Sequence, residues 1–355
     1  MRASVVIVGG GFAGASTAYA LARAGVSGVV VLERERVCGV HASGRNAALG
    51  RQLTEDERFT DLAIRGAAFL REPPRDFADQ SLLSGSGSIL LAGADATMQR
   101  LLSRARTRGL PCEPLAPAAV VERWPLLAGT PMAGGVWFPT DGAIDIHTLL
   151  ASFLAGARAG GAQVRTGCEV LGFEPRDGGV VLHTSTGAVE ARCAVIAAGA
   201  WAGTLAATTG TRSAGFDPVR RHLHVTEPIA ALDPAAPFVW HLDDEFYVRP
   251  ESGACLVSAC DETIVEPCDP SPTPNAVPEL ATKLARMAPG LLDYGVARSW
   301  ACLRTFTRGT HQPVIGWDAD VPWLFWTAGL AGHGATCSAA VGAESAAALR
   351  ARELE

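Results

Sequence analysis

The run Val5-Val6-Ile7-Val8-Gly9-Gly10-Gly11-Phe12-Ala13-Gly14-Ala15 restricts the fold more than any other stretch of this chain. Four apolar β-formers break into a glycine turn, and small residues then open a helical pattern over 15–24. In the spacing Gly9-x-Gly11-x-x-Gly14 each glycine has a mechanical task. Gly9 permits the tight turn, Gly11 lets the backbone approach a pyrophosphate, and Gly14 allows close helix–strand packing. The free N–H groups at the helix start favour the phosphates. Glycine turns are common, so the continuation carries the weight. Val29-Val30-Val31-Leu32 reads as a second strand ending in Glu33, roughly 20 residues on, where a carboxylate binds ribose hydroxyls. The chain therefore opens with a βαβ unit for a dinucleotide.

With 355 residues, 48% of them hydrophobic, the chain can bury a large core and form two domains. Its formal net charge of −6, with no basic cluster, argues against a nucleic-acid partner. Nine cysteines form no C-x-x-C pair and no zinc spacing, which points to reducing cytosol. No apolar stretch approaches the length of a membrane span. His222 and His224 alternate with apolar neighbours, as on a strand with one wetted face, and do not make a metal site.

Helices are expected over 54–70 (stopped by Pro73-Pro74), 96–107, 145–159 (capped by Asp145), 279–287 and 334–349. Short strands at 163–165, 168–174 and 180–184 read as a meander across the nucleotide layer. A β-rich region fills 216–258, and further strands lie at 299–306 and 323–326. Helices and strands alternate at both ends while antiparallel-looking strands fill two inserts. The expected class is α/β, with two domains. A discontinuous Rossmann-like nucleotide domain (1–80, 140–215 and 296–355) carries an inserted antiparallel sheet domain for substrate (81–139 and 216–295).

Four separated segments together resemble the D-amino-acid oxidase superfamily of flavoproteins, with its glycine and sarcosine oxidases. They are the glycine turn with Glu33-Arg34, the loop 41–48, the run Val195-Ile196-Ala197-Ala198-Gly199-Ala200-Trp201, and the C-terminal run ending Gly329-Leu330-Ala331-Gly332-His333-Gly334. Leu82-Leu83-Ser84, Gly142-Ala143-Ile144-Asp145, Val219-Arg220-Arg221 and Glu245-Phe246-Tyr247-Val248-Arg249-Pro250 are similar to the D-arginine dehydrogenase type. The resemblance implies FAD and oxidation of an amine by hydride transfer to the flavin. It assigns the cofactor to Gly9, Gly11, Phe12, Ala13, Gly14, Glu33, Arg34, His41, Ser43, Arg45, Asn46, Ala47, Val170, Ala198, Gly199, Trp201, Gly329, Gly332, His333, Gly334, Ala335 and Thr336. His41 and Ser43 are expected near the ribityl chain and ring.

The same resemblance makes Arg304 the clamp for a substrate carboxylate, suited by its two-pronged guanidinium. Tyr247 adds a hydroxyl to that carboxylate, and Arg221 is a substrate-side arginine, a role its neighbour Arg220 can also take. The guanidinium-binding glutamate of the D-arginine type is replaced here by Ser88, which implies a neutral or apolar substrate side chain. The family's lid tyrosine and histidine are missing from Leu49-Gly50-Arg51-Gln52-Leu53-Thr54. Sarcosine-oxidase relatives place a lysine over the flavin to activate O2. The sole lysine here, Lys283, falls in a polar helix where a solvated side chain is expected, so a quinone or other carrier is favoured as electron acceptor over O2. FAD is expected to bind noncovalently, a covalent link through Cys302 being the alternative. Two other readings stay open: a flavin-dependent 2-hydroxy-acid dehydrogenase, which needs a base, and an FAD-carrying subunit of a hetero-oligomeric oxidase.

Overall fold

The computed structural model describes residues 2–230 and 232–352, so the outermost positions of the expected nucleotide segments, 1 and 353–355, lie outside the described residues. Its first sheet grows from the opening apolar run. Arg2–Val8 pairs in parallel with Val29–Leu32 on one side and Gly187–Ile196 on the other. Gln163–Arg165 and Leu324–Ala328 extend the parallel core outward, and Val314–Trp317 closes one edge antiparallel. Strands this apolar need both faces covered. Helices Phe12–Arg23, Ile146–Ala159 and Gly334–Arg350 cover one face. Small residues bring these helices close: a Cβ on Gly342 would lie 2.4 Å from the Ser16 carbonyl.

Two corrections concern this sheet. Gln163–Arg165 is a parallel strand beside Val29–Leu32 and not part of the meander. The three-stranded meander is Val170–Arg176, Gly179–Thr184 and Gly187–Ile196, the last of which also runs through the parallel core.

Among the described residues the second sheet has nine strands, antiparallel except where Phe238–His241 runs parallel to Ser88–Ala92. Its longest pair is Phe216–Thr226 against Val296–Thr307. Residues 296–307, expected with the nucleotide segments, therefore belong to this sheet. A strand's alternation specifies its face but not its partner. His222 and His224 are also placed differently from the sequence reading: both are buried. His222 Nδ1 lies 2.8 Å from Asp261 Oδ2, and His224 Nδ1 lies 2.8 Å from Ser299 Oγ. Among the described residues no helix is long and apolar enough to cross a membrane, and no group of three or more His, Cys, Asp or Glu could hold a metal ion.

Candidate active site

A cavity of about 540 Å³ runs between the two sheets. Every residue expected to hold cofactor or substrate borders it except Gly14 and the alternative arginine, Arg220. Gly14 sits behind the turn, where a Cβ would lie 1.9 Å from the Gly9 carbonyl oxygen. Gly9 itself has φ +111°, and a Cβ there would lie 2.5 Å from the Ala197 carbonyl. This cradle cannot accept side chains, as close approach of a pyrophosphate requires.

Glu33 is fixed beside the turn. Its Oε2 accepts from Gly10 N–H (2.7 Å) and its Oε1 from Glu35 N–H (2.9 Å). Each oxygen keeps a lone pair for a ribose hydroxyl. Arg34 lies 3.8 Å over the Trp201 ring and donates to Glu35. His41 joins this group, 3.0 Å from Glu35 Oε1 and 4.6 Å from Trp201. Ser43 Oγ accepts from Phe12 N–H at the helix start. His41 and Ser43 thus border the cavity beside Arg34 and the glycine turn. Asn46 closes its own loop, donating to Ser43 C=O and accepting from Ala48 N–H, and Arg45 pairs with Asp269.

At the far end Gly329 (φ +72°) and Gly332 (φ +90°) turn the chain into helix Gly334–Arg350, whose first residues border the cavity. A Cβ on Gly332 would lie 2.8 Å from Arg304 Cδ, so the turn and the arginine fit each other. Arg304 and Arg221 come together through register. Arg221 pairs with Cys302 and Val219 with Arg304, which makes the two arginines diagonal neighbours on one face. Both donate to Glu262 Oε1, at 2.7 and 3.1 Å. Arg221 also donates to the carbonyls of Asp261 and Cys260, while Arg304 Nε has no partner among the described residues. Arg220, the other candidate, does not border the cavity. Tyr247 lies beside Leu223, Cys260 and Cys302, with its ring 4.8 Å from Trp240. Burial pushes its hydroxyl up to about 12, so Tyr247 is a neutral donor. Burial likewise raises the Cys302 thiol, which borders the cavity uncharged.

Ser88 is buried and donates to Asp141 Oδ2 at 2.7 Å; it does not border the cavity, so it says nothing about the substrate. Lys283 is half-buried, bonded to the Asp244 carbonyl, and also away from the cavity. Sequence reasoning passed over Arg51, Glu55, Trp240 and Glu262, all of which border it. Backbone strain marks the same region. Of the six non-glycine residues with positive φ among the described residues, Ala48, Glu245 and Ala331 border the cavity and Cys260 adjoins it. Such strain has no signature in a single sequence.

The profile of the FAD dependent oxidoreductase family matches residues 4–348. The chain belongs to this family. It is 31% identical to mitochondrial sarcosine dehydrogenase of Mus musculus over 59% of the chain and 24% of that protein. It is 28% identical to 4-methylaminobutanoate oxidase (formaldehyde-forming) of Paenarthrobacter nicotinovorans over 96% of the chain and 43% of that protein. The chain thus spans less than half the length of these curated relatives. Glycine oxidase of Geobacillus kaustophilus is covered more fully, at 26% identity over 92% of the chain and 88% of that protein. Its crystal structure superposes with a TM-score of 0.84 over 99% of the chain and 95% of the other. At the level of fold alone, L-proline dehydrogenase from P. horikoshii gives a TM-score of 0.87 over 99% of the chain and 94% of the other, at 23% identity.

Proposed function

We propose that this oxidoreductase oxidises the carbon–nitrogen bond of an amino acid or related amine, with D-amino acids and N-substituted amino acids as the leading substrates. The observation that carries the reading is the convergence of Arg304, Arg221 and Tyr247 on the cavity that also contains the glycine turn. Amine oxidation needs the α-carbon held at a fixed orientation, and a carboxylate on a two-pronged guanidinium supplies that. Arg304, which borders the cavity, binds the carboxylate, and the neutral Tyr247 hydroxyl donates to it. Glu262 keeps both arginines charged and aligned before substrate arrives. FAD, when bound, supplies the two-electron oxidant. Glu33, Arg34 and Trp201 would hold its nucleotide end, and residues 329–336 its other end. An uncharged Cys302 thiol fits noncovalent binding.

The hydroxy-acid reading needs a base, and His333 presents a half-buried imidazole to this cavity. Burial, followed by the cation of Arg51, pushes it down to about 3. So weak a base favours the amine, which needs only to be neutral before it reacts. Lys283 lies away from the cavity, in keeping with a carrier other than O2.

Anaerobic flavin bleaching against D- and L-amino acids, N-methyl amino acids and 2-hydroxy acids tests the reading. Bleaching by amines, with reoxidation faster by a quinone or dye than by air, is expected. Bleaching by hydroxy acids alone would overturn it.

A further inference from the structure

Arg51 is the least explained charge in the cavity. Its side chain is 4% exposed, yet only Nη2 has a partner, Glu55 Oε2 at 2.7 Å. Nε and Nη1 donate to nothing among the described residues. Buried charged donors are rarely left unmade, because each unmade bond forfeits the desolvation cost of its group.

The side chain is also held in place. Its guanidinium lies 4.3 Å over the Trp240 ring. The next residue, Gln52, is locked by Asp141 and Thr140. A fixed fork with free donors, bordering the substrate cavity, is a preorganised anion site.

Arg304 already accounts for one carboxylate. The two arginines stand on different supports and have different acids: Arg304, on the second sheet, has Glu262, and Arg51 has Glu55 beyond the short strand Leu49–Gly50. Among the described residues no carboxylate pairs with both. Both act on the imidazole of His333, which lies within reach of each charge. Each keeps a buried Nε with no hydrogen-bond partner among the described residues, and both side chains border the same cavity.

We propose that Arg51 is a specificity-determining residue that receives a second carboxylate, so that the substrate is an amine carrying two carboxylates. This deepens the amine-oxidation reading and rests on it for the reacting group. It also replaces the neutral or apolar side chain expected from Ser88. Two sources share the chemistry: an acidic amino acid, and an amino acid whose nitrogen carries a carboxyalkyl group.

The test uses FAD-loaded enzyme and two readouts. In the first, the flavin spectrum is titrated with malonate, succinate and glutarate, and with acetate, propionate and butyrate. A charge-assisted pair in a buried site predicts that the best dicarboxylate binds at least about tenfold tighter than its monocarboxylate counterpart. Arg51→Gln should bring that ratio to about one. A wild-type ratio near one, or an Arg51→Gln variant that weakens both series equally, overturns the proposal. Should Arg51→Gln fail to retain flavin, Arg51→Lys takes its place. A ratio between one and the wild-type value then supports the proposal, and an unchanged ratio overturns it.

In the second readout, iminodiacetate and N-carboxymethyl amino acids are compared with D- and L-aspartate and glutamate in anaerobic bleaching, which separates the two sources. Bleaching only by monocarboxylic amines overturns the proposal. Absence of bleaching by any amine overturns the amine reading instead, and the titration still decides the role of Arg51.

Discussion

Arg304 and Arg221 share one oxygen of Glu262, yet their loss should have different consequences. Arg304 contributes donors to the cavity and little else: without it, Glu262 keeps Arg221 and no buried acid is orphaned. Arg304→Gln should therefore weaken monocarboxylate binding roughly 10- to 100-fold, the range for losing a charge-assisted bond of about 1.5–3 kcal/mol. Its thermal midpoint should stay close to that of the wild type. Arg221 also ties down the carbonyls of Cys260 and Asp261, in a segment where Cys260 holds φ +55°. Arg221→Gln should lower the midpoint as well as the affinity. Titration of the flavin spectrum with acetate, beside melting curves of both variants, separates the two roles. Equal melting losses would mean that Arg304 is structural.

Among the elements, the turn at 9–14 gives the sharpest steric prediction. A methyl group on Gly14 would collide with the Gly9 carbonyl at 1.9 Å and with Ile7 Cγ2 at 3.1 Å. Backbone cannot yield as a side chain can, so helix Phe12–Arg23 would have to leave the turn. Gly14→Ala should fold yet carry well under half the wild-type flavin after desalting, read from the flavin-to-protein absorbance ratio. Gly172→Ala, in the strand Val170–Arg176 with nothing within 4 Å of its added Cβ, is the matched control and should retain full flavin.

Local chemistry of this kind is what the sequence exposed. The glycine turn, the Asp145 cap (which accepts from Thr148 N–H at 3.0 Å) and the helix from Gly334 could all be read from neighbouring residues. What depended on distant pairing was hidden. The strand Val296–Thr307 joined the second sheet because Phe216–Thr226 offered its edge. Ser88 turned to a carboxylate 53 positions away. Arg51 read as a missing lid residue, because its significance lies in Trp240, Glu55 and the donors it leaves free.

For the whole molecule, a buried carboxylate ties the segment after the short strand Leu49–Gly50 to the second sheet. Asp141 is 1% exposed. Its Oδ1 accepts from the backbone and side-chain N–H groups of Gln52, and its Oδ2 from Ser88 on the second sheet. Arg71 reaches the same junction, donating to the Thr140 carbonyl and to Gln52 Oε1. Burial raises the Asp141 carboxyl from 3.8 to about 6, against the opposing pull of Ser88, Gln52 and Arg51. The sign of its effect follows from proton counting. Between about pH 4 and 6 the folded chain holds a proton here that the unfolded chain has released. Stability therefore falls as pH rises through this window and levels off above it. The largest change a shift of this size allows is about 3 kcal/mol. Asp141→Asn keeps an acceptor for Gln52 and removes the titration. Urea unfolding of both proteins at steps from pH 4.5 to 7.5 should show the wild type losing stability relative to the variant as pH rises. A difference between the two that stays constant across the series would mean that Asp141 is ionised in the folded protein throughout, and that the junction is held by a charge.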